Sequence, residues 1–128
     1  MTEEPAPPPT TRARVWKTPP GVALCAEADL ADPGSRGFVL QIGEAFFHGF
    51  VVRRAGEVHG YVDRCPHAGF PLALELDRYL TRDGDLIMCG WHGAVFRPED
   101  GACVGGPCAG ARLTPWPVQV SDGVVRTA

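Results

Sequence analysis

From Gly21 onward the apolar residues come in short runs punctuated by glycine, proline and aspartate. "GVALCA" opens the series. "RGFVLQIG" (36–43) and "EAFFHGFVVRR" (44–54) are longer runs rich in valine and phenylalanine, and "GEVHGYVD" (56–63) follows Ala55 and Gly56, a turn pair. β-Branched and aromatic runs of this length, bounded by turn residues, predict strands. "DGDLIMC" (83–89) and "AVF" (94–96) are shorter, the second leading into the turn "RPEDG". The carboxyl end, "WPVQVSDGVVRTA", alternates, turns at Asp122 and Gly123, and alternates again, which predicts a hairpin. One segment has a helical period: in "PLALELDRYL" (71–80), Leu72, Leu76 and Leu80 recur at i, i+4 and i+8, so a short helix and an irregular loop both fit. No internal repeat is visible. The pattern predicts an all-β, antiparallel domain of many short strands, a sandwich or a barrel.

Composition agrees with that class. The 128 residues make one domain, and 16 glycines with 13 prolines favour turns over long helices. Pro5, Pro7, Pro8 and Pro9 cluster among polar residues, so residues 1–18 are expected to form a disordered, Pro-rich tail ahead of a single domain at 19–128. Net charge is −3 with no Lys/Arg block, which argues against a nucleic-acid partner. No apolar stretch is long enough to span a membrane, and the amino terminus lacks the apolar core of a secretory signal. A cytoplasmic location is therefore expected, where thiols stay reduced. Five cysteines in that compartment point to metal or redox chemistry before disulfides.

Four residues give that chemistry a shape. "DRCPHAGFPL" (63–72) holds Cys65 and His67 in a C-x-H pair, and "MCGWHGAVF" (88–96) holds Cys89 and His92 in a C-x2-H pair. Both pairs sit beside short strands in glycine-containing turns. Pro66 stiffens the first, and Gly69, Gly90 and Gly93 let backbone approach something bulky. Two thiolates and two imidazoles also make a tetrahedral zinc site, but zinc modules usually group cysteine with cysteine. Here each loop supplies one of each. Facing loops would bring sulfur beside sulfur and nitrogen beside nitrogen, a sorting that suits two irons with different ligands, as in the Rieske [2Fe–2S] centre.

At these residues the chain closely resembles the Rieske ferredoxin family. The likeness runs through "CPHAGFPL" and "CGWHGAVF" and continues in "DGACVGGP" and "LTPWPVQVSDGVV", which look like the family's proline loop and closing strands; it covers about 20–128. The resemblance implies an antiparallel β-sandwich or barrel base with a small inserted cluster-binding subdomain at about 63–109. It implies one [2Fe–2S] cluster per chain, with Cys65 and Cys89 on the inner iron and His67 and His92 on the outer iron. The excursion "ELDRYLTRDG" between the two boxes is longer than in many members.

Two departures place the chain within the family. High-potential respiratory members carry Ser and Tyr hydroxyls at positions that match Ala94 and Phe96 here. They also carry a disulfide whose cysteines would fall at Phe70 and Trp91. Neither feature can form in this chain, which implies the soluble, low-potential class that serves oxygenases. His48 and His59, on strand-like runs without partners at ligand spacing, read as structural or surface residues. Cys25 reads as a small buried hydrophobe. Cys103 and Cys108, in "ACVGGPCAG", read as reduced thiols packed near the cluster, with a disulfide or regulatory role as the alternative.

No dinucleotide fingerprint is present, and only His48 and His59 are spare for a second iron site. The expected role is therefore an electron carrier and not an enzyme. The resemblance implies a flavoprotein reductase fed by NAD(P)H as donor and a terminal oxygenase, acting on aromatic rings or related substrates, as acceptor. Contacts would be transient and centred near His67 and His92, with Phe70 and Trp91 either forming an apolar docking patch or packing between the loops. A monomer is expected. Two other readings stay open: the small Rieske subunit of an NAD(P)H nitrite reductase, and a zinc-stabilised module without redox activity.

Overall fold

The computed structural model describes residues 13–66, 71–73, 75–90, 93–108 and 110–128. Among the described residues nine strands form three antiparallel three-stranded sheets. Strands β2 (Gly34–Ile42), β3 (Ala45–Arg54) and β4 (Glu57–Val62) make a meander. Strand β1 (Ala23–Ala26) pairs with β9 (Val124–Thr127), which pairs with β8 (Val118–Ser121). The third sheet is small: β5 (Ile87–Met88), β6 (Val95–Phe96) and β7 (Cys103–Gly105). The all-β antiparallel architecture expected from the sequence is present, and the third sheet lies between β4 and β8 in the chain, as an insertion into the base.

Strand β3 explains how two cores share one sheet. Successive side chains alternate faces. Phe47 and Val51 enter a core with Leu30, Val62, Trp116 and Val125, between the meander and the terminal sheet. Phe50 and Val52 enter a second core with Tyr61, Leu72, Tyr79, Ile87 and Phe96, between the meander and the inserted subdomain. A strand buried on both faces needs a continuous apolar run, which "GFVV" (49–52) supplies. Gly49 makes room for the indole: a Cβ there would lie 2.6 Å from Trp116 Cε3. Trp116 packs on Phe47 with ring centroids 4.7 Å apart.

The predicted turn at Ala55 and Gly56 and the predicted hairpin at Asp122 and Gly123 both form, the first also closing a hairpin. Ala55 and Gly56 have φ of 53° and 79°, and Asp122 and Gly123 have 53° and 74°, the paired left-handed conformations of a tight hairpin turn. The leucine period at 71–80 resolves to a loop, and no α-helix occurs among the described residues. Leu72 is fully buried while Leu76 is 89% exposed, so the three leucines share no face. The segment's polar groups are satisfied by other elements instead. Asp77 Oδ1 accepts from the Gly37 N–H (2.8 Å), the Ser35 hydroxyl donates to Asp77 O (2.6 Å), and the Tyr79 N–H donates to Ser35 Oγ (3.1 Å). These bonds tie the excursion to β2, and a helix would have to break them.

Residues 1–12 of the expected tail lie outside the described residues. From Ala13 the chain runs beside β3: the Val15 N–H donates to Phe46 O (3.1 Å) and the Phe46 N–H to Ala13 O (3.0 Å). Trp116 Nε1–H donates to Thr18 Oγ1 (2.9 Å).

Candidate metal centre

The first box begins where β4 ends. The Asp63 N–H donates to His48 O (2.9 Å) and the Arg64 N–H to Val62 O (2.9 Å), so the backbone is fixed up to the residue before Cys65. Arg64 turns outward and holds its guanidinium over the Trp16 ring, 5.2 Å from the centroid, which clasps the amino-terminal segment to this loop. Cys65 turns inward and is fully buried.

The second box is a tight reversal between β5 and β6. The Cys89 N–H donates to Ala94 O (2.8 Å) and the Gly93 N–H returns to Cys89 O (3.0 Å). Gly93 sits at φ +72°, the left-handed region where a side chain is strained. Cys89 is fully buried, and its box is joined to the first by the Gly90 N–H, which donates to Leu72 O (2.8 Å).

Cys65 and Cys89 thus enter one apolar cluster with Leu72, Ile87, Ala94, Phe96 and Cys108. The third loop covers it. Gly106, at φ +85°, lies so close to the second box that a Cβ would come within 2.7 Å of Ala94 Cα. Cys108 is buried behind it, and burial pushes its thiol up to about 12, with the neighbouring Cys103 adding to the shift. Free thiolate is disfavoured in such surroundings, whereas a cationic iron pair stabilises sulfur in the thiolate form. Two buried thiols at the ends of two loops tied to each other therefore fit the sulfur half of a [2Fe–2S] site. His67 and His92, the nitrogen half expected from the sequence, lie outside the described residues, as do Phe70 and Trp91.

A polar strut supports both boxes. Asp63, 7% exposed, accepts the Leu72 N–H on Oδ1 (2.9 Å) and the Tyr79 hydroxyl on Oδ2 (2.8 Å). Tyr79 stacks on Phe50 with centroids 4.2 Å apart and planes within 5°, and its carbonyl accepts the Met88 N–H (2.8 Å), one residue before Cys89. Burial, reinforced by the Asp63 charge, pushes the Tyr79 hydroxyl above its ordinary pKa and keeps it a donor. Neither residue stood out in the sequence. Asp63 has a weak signal, an aspartate just ahead of the C-x-H pair, and Tyr79 has none.

The other two histidines lie on the meander, and only the His48 carbonyl, which takes the Asp63 N–H, meets the first box among the described residues. His59 Nε2 lies 3.3 Å from Glu57 Oε2 on β4. His48, on β3, has its pKa lowered, first by burial and then by Arg14. Cys25 is half-buried on β1 against the terminal-sheet core. Ala94 and Phe96, the positions without hydroxyls, are both fully buried in the cluster with the two cysteines.

Comparison with known proteins agrees with this arrangement. A family model described as the Rieske [2Fe-2S] domain matches residues 21–121. Among solved structures, a chain of the complex of reduced oxygenase and oxidized ferredoxin in carbazole 1,9a-dioxygenase is 27% identical, with 84% of this chain and 91% of that one covered and a TM-score of 0.66. The Sphingomonas yanoikuyae B1 ferredoxin is 26% identical over 84% and 96% of the two chains, with a TM-score of 0.62. The ferredoxin of carbazole 1,9a-dioxygenase from Nocardioides aromaticivorans IC177, at 20% identity, 87% and 98% coverage and a TM-score of 0.65, shares the fold. No curated protein matches the chain. With two buried thiols on the loops of an inserted sheet and the family match spanning both boxes, the chain belongs to the Rieske [2Fe-2S] domain family, and its cofactor is a Rieske-type [2Fe–2S] cluster.

Proposed function

We propose that this protein is a one-electron carrier that receives electrons from an NAD(P)H-dependent flavoprotein reductase and delivers them to a terminal oxygenase. The observation that carries the reading is the pair of buried cysteines, Cys65 and Cys89, on loops joined by the Gly90 to Leu72 hydrogen bond inside a Rieske domain. Cys65 and Cys89 would hold one iron, and His67 and His92 the other. The bound cluster supplies reversible one-electron redox chemistry. The chain's own part is to exclude water from the sulfur ligands, through Leu72, Ile87 and Phe96, and to fix the loops, through Asp63, Tyr79 and Gly93.

The acceptor follows from likeness. Two similar solved chains, at 26% and 27% identity, are described as a ferredoxin and as part of an oxygenase–ferredoxin complex. The absence of hydroxyls at Ala94 and Phe96 supports a low potential, suited to such a partner. The carrier would act as a cytoplasmic monomer, and no helix among the described residues is long and apolar enough to cross a membrane.

The test is an EPR spectrum of the dithionite-reduced protein together with iron and acid-labile sulfide analysis. A Rieske-type signal with two irons and two sulfides per chain is the expected result. A silent spectrum with zinc bound would replace the carrier with a zinc-stabilised module. Electron delivery is then measured by stopped flow against an isolated ring-hydroxylating oxygenase and against a nitrite reductase; transfer to the second alone would reassign the acceptor.

A further inference from the structure

Strand β7 ends in a loop whose two ends are held together. Cys103 pairs with Phe96 across the small sheet, its N–H donates to Ala111 O (3.0 Å), and the Ala111 N–H donates to Cys108 O (2.9 Å). This brings Cys108 Sγ to 2.9 Å from Cys103 Sγ. The separation exceeds an S–S bond, about 2.05 Å, by less than an ångström, so the two sulfurs already stand almost within bonding reach. The four residues assigned to the cluster include neither thiol, and the carrier reading gives this pair no task.

We propose that Cys103 and Cys108 form a redox-active dithiol, a modification site that a low-molecular-weight disulfide of the glutathione type converts to an intramolecular disulfide. The two sulfurs are unequally accessible. Cys103 is only partly buried, beside Val104, which is 50% exposed, whereas Cys108 is buried. Cys103 therefore meets the reagent first. Its thiolate attacks one sulfur of the small disulfide, forms a mixed disulfide, and releases one small thiolate. Cys108 Sγ, already alongside, attacks the Cys103 sulfur, loses its proton, and expels the second small thiolate. Both cysteines are oxidised by one electron each, the small disulfide is reduced by two, and the two thiol protons end on the two released thiols. The product closes a ring over Gly105, Gly106 and Pro107. Gly106 rests on Ala94, so the cross-link stiffens the segment that backs the second box. A small dithiol reverses the reaction.

The experiment treats the cluster-loaded protein with glutathione disulfide, alkylates free thiols, and maps residues 103 and 108 by tandem mass spectrometry, while visible absorbance follows the cluster. The expected result is a loss of two hydrogen masses at these cysteines, no alkylation of either, reversal by dithiothreitol, and an unchanged cluster spectrum. Alkylation of both, or a glutathione adduct on Cys103 with Cys108 still alkylated, would overturn the proposal. The Cys108→Ala variant should stop at the mixed disulfide on Cys103, and the Cys103→Ala variant should carry no glutathione at residue 108; an adduct on Cys108 in the latter would refute the order of attack. The thiol chemistry is independent of electron transfer. A colourless protein that still forms the disulfide would remove the carrier reading alone, and a red protein that does not would remove this proposal alone.

Discussion

The hydroxyl of Tyr79 donates to Asp63 Oδ2 at 2.8 Å, and through that bond two loops far apart in sequence share one support. Asp63 stands two residues before Cys65 and takes the Leu72 N–H on its other oxygen. Tyr79 holds the Met88 N–H, next to Cys89. A buried carboxylate left short of a donor costs more than an ordinary lost bond. Tyr79→Phe keeps the stack on Phe50 and removes only the hydroxyl. It is expected to lower stability by about 1–3 kcal/mol in denaturant titration of the cluster-loaded protein. An unchanged midpoint would mean that Asp63 finds a replacement donor and that the strut is dispensable.

Cys65 is fully buried in one cluster with Cys89, where a bound iron would find both sulfurs. Cys65→Ser is expected to abolish the reduced EPR signal and the visible spectrum, and His67→Ala to do the same. Because metal binding is coupled to folding, both variants should also unfold at lower denaturant than the parent. Retained iron with an unaltered spectrum in either would remove that residue from the ligand set.

What the sequence disclosed and what it withheld follow from the range of the forces involved. The turns at Ala55 with Gly56 and at Asp122 with Gly123 are local: two residues dictate the conformation, and both turns form where expected. The meeting of Cys65 and Cys89 was legible because ligand chemistry limits residue type and spacing, whereas His67 and His92 lie outside the described residues. The pairing of β1 with β9 joins the two ends of the domain, and no short window encodes it. The leucine period at 71–80 left helix and loop both open for a related reason. Ser35, Gly37 and Asp63 compete for that segment's backbone and side chains, and these partners are invisible from the segment alone. The strut of Asp63 and Tyr79 was missed because only the fold brings the two together.

Ala94 and Phe96, at the end of the second box, carry no hydroxyl, and both are fully buried. A hydroxyl aimed at the cluster favours its reduced, more negative state. A hydrogen bond worth about 1 kcal/mol more in the reduced state shifts a one-electron potential by roughly 40 mV. The double variant Ala94→Ser with Phe96→Tyr is therefore expected to raise the midpoint potential by a few tens of millivolts or more in voltammetry. A fall, or no change, would show that the added hydroxyls point elsewhere.

Tyr61 gives a pH dependence with a definite sign. Its hydroxyl donates to Pro98 O (2.5 Å), and burial, aided by Asp100 and Glu99, pushes its pKa from 10.0 up to about 12. The folded state keeps the proton where the unfolded chain loses it. Stability is therefore fully present below pH 10 and declines as pH rises towards 12. Tyr79, shifted in the same direction, adds to the decline. Chemical denaturation across this alkaline range should show the falling slope, and Tyr61→Phe should make it shallower. An identical slope in the variant would place the alkaline loss on other groups.

Gly106 and Gly123 separate two costs that glycine usually hides together. Both sit at positive φ, +85° and +74°, where an alanine costs about 1–2 kcal/mol in backbone strain. A Cβ at Gly123 meets nothing within 4 Å, whereas one at Gly106 lies 2.7 Å from Ala94 Cα, a backbone atom of the second box that cannot swing aside. Gly123→Ala should therefore lower stability by only the strain term and leave the cluster untouched. Gly106→Ala should lose more and push the covering loop away from the box, seen as faster bleaching of the visible spectrum when an iron chelator is added. If the two variants bleach at the same rate, the contact between Gly106 and Ala94 does not shield the cluster, and the third loop serves the fold alone.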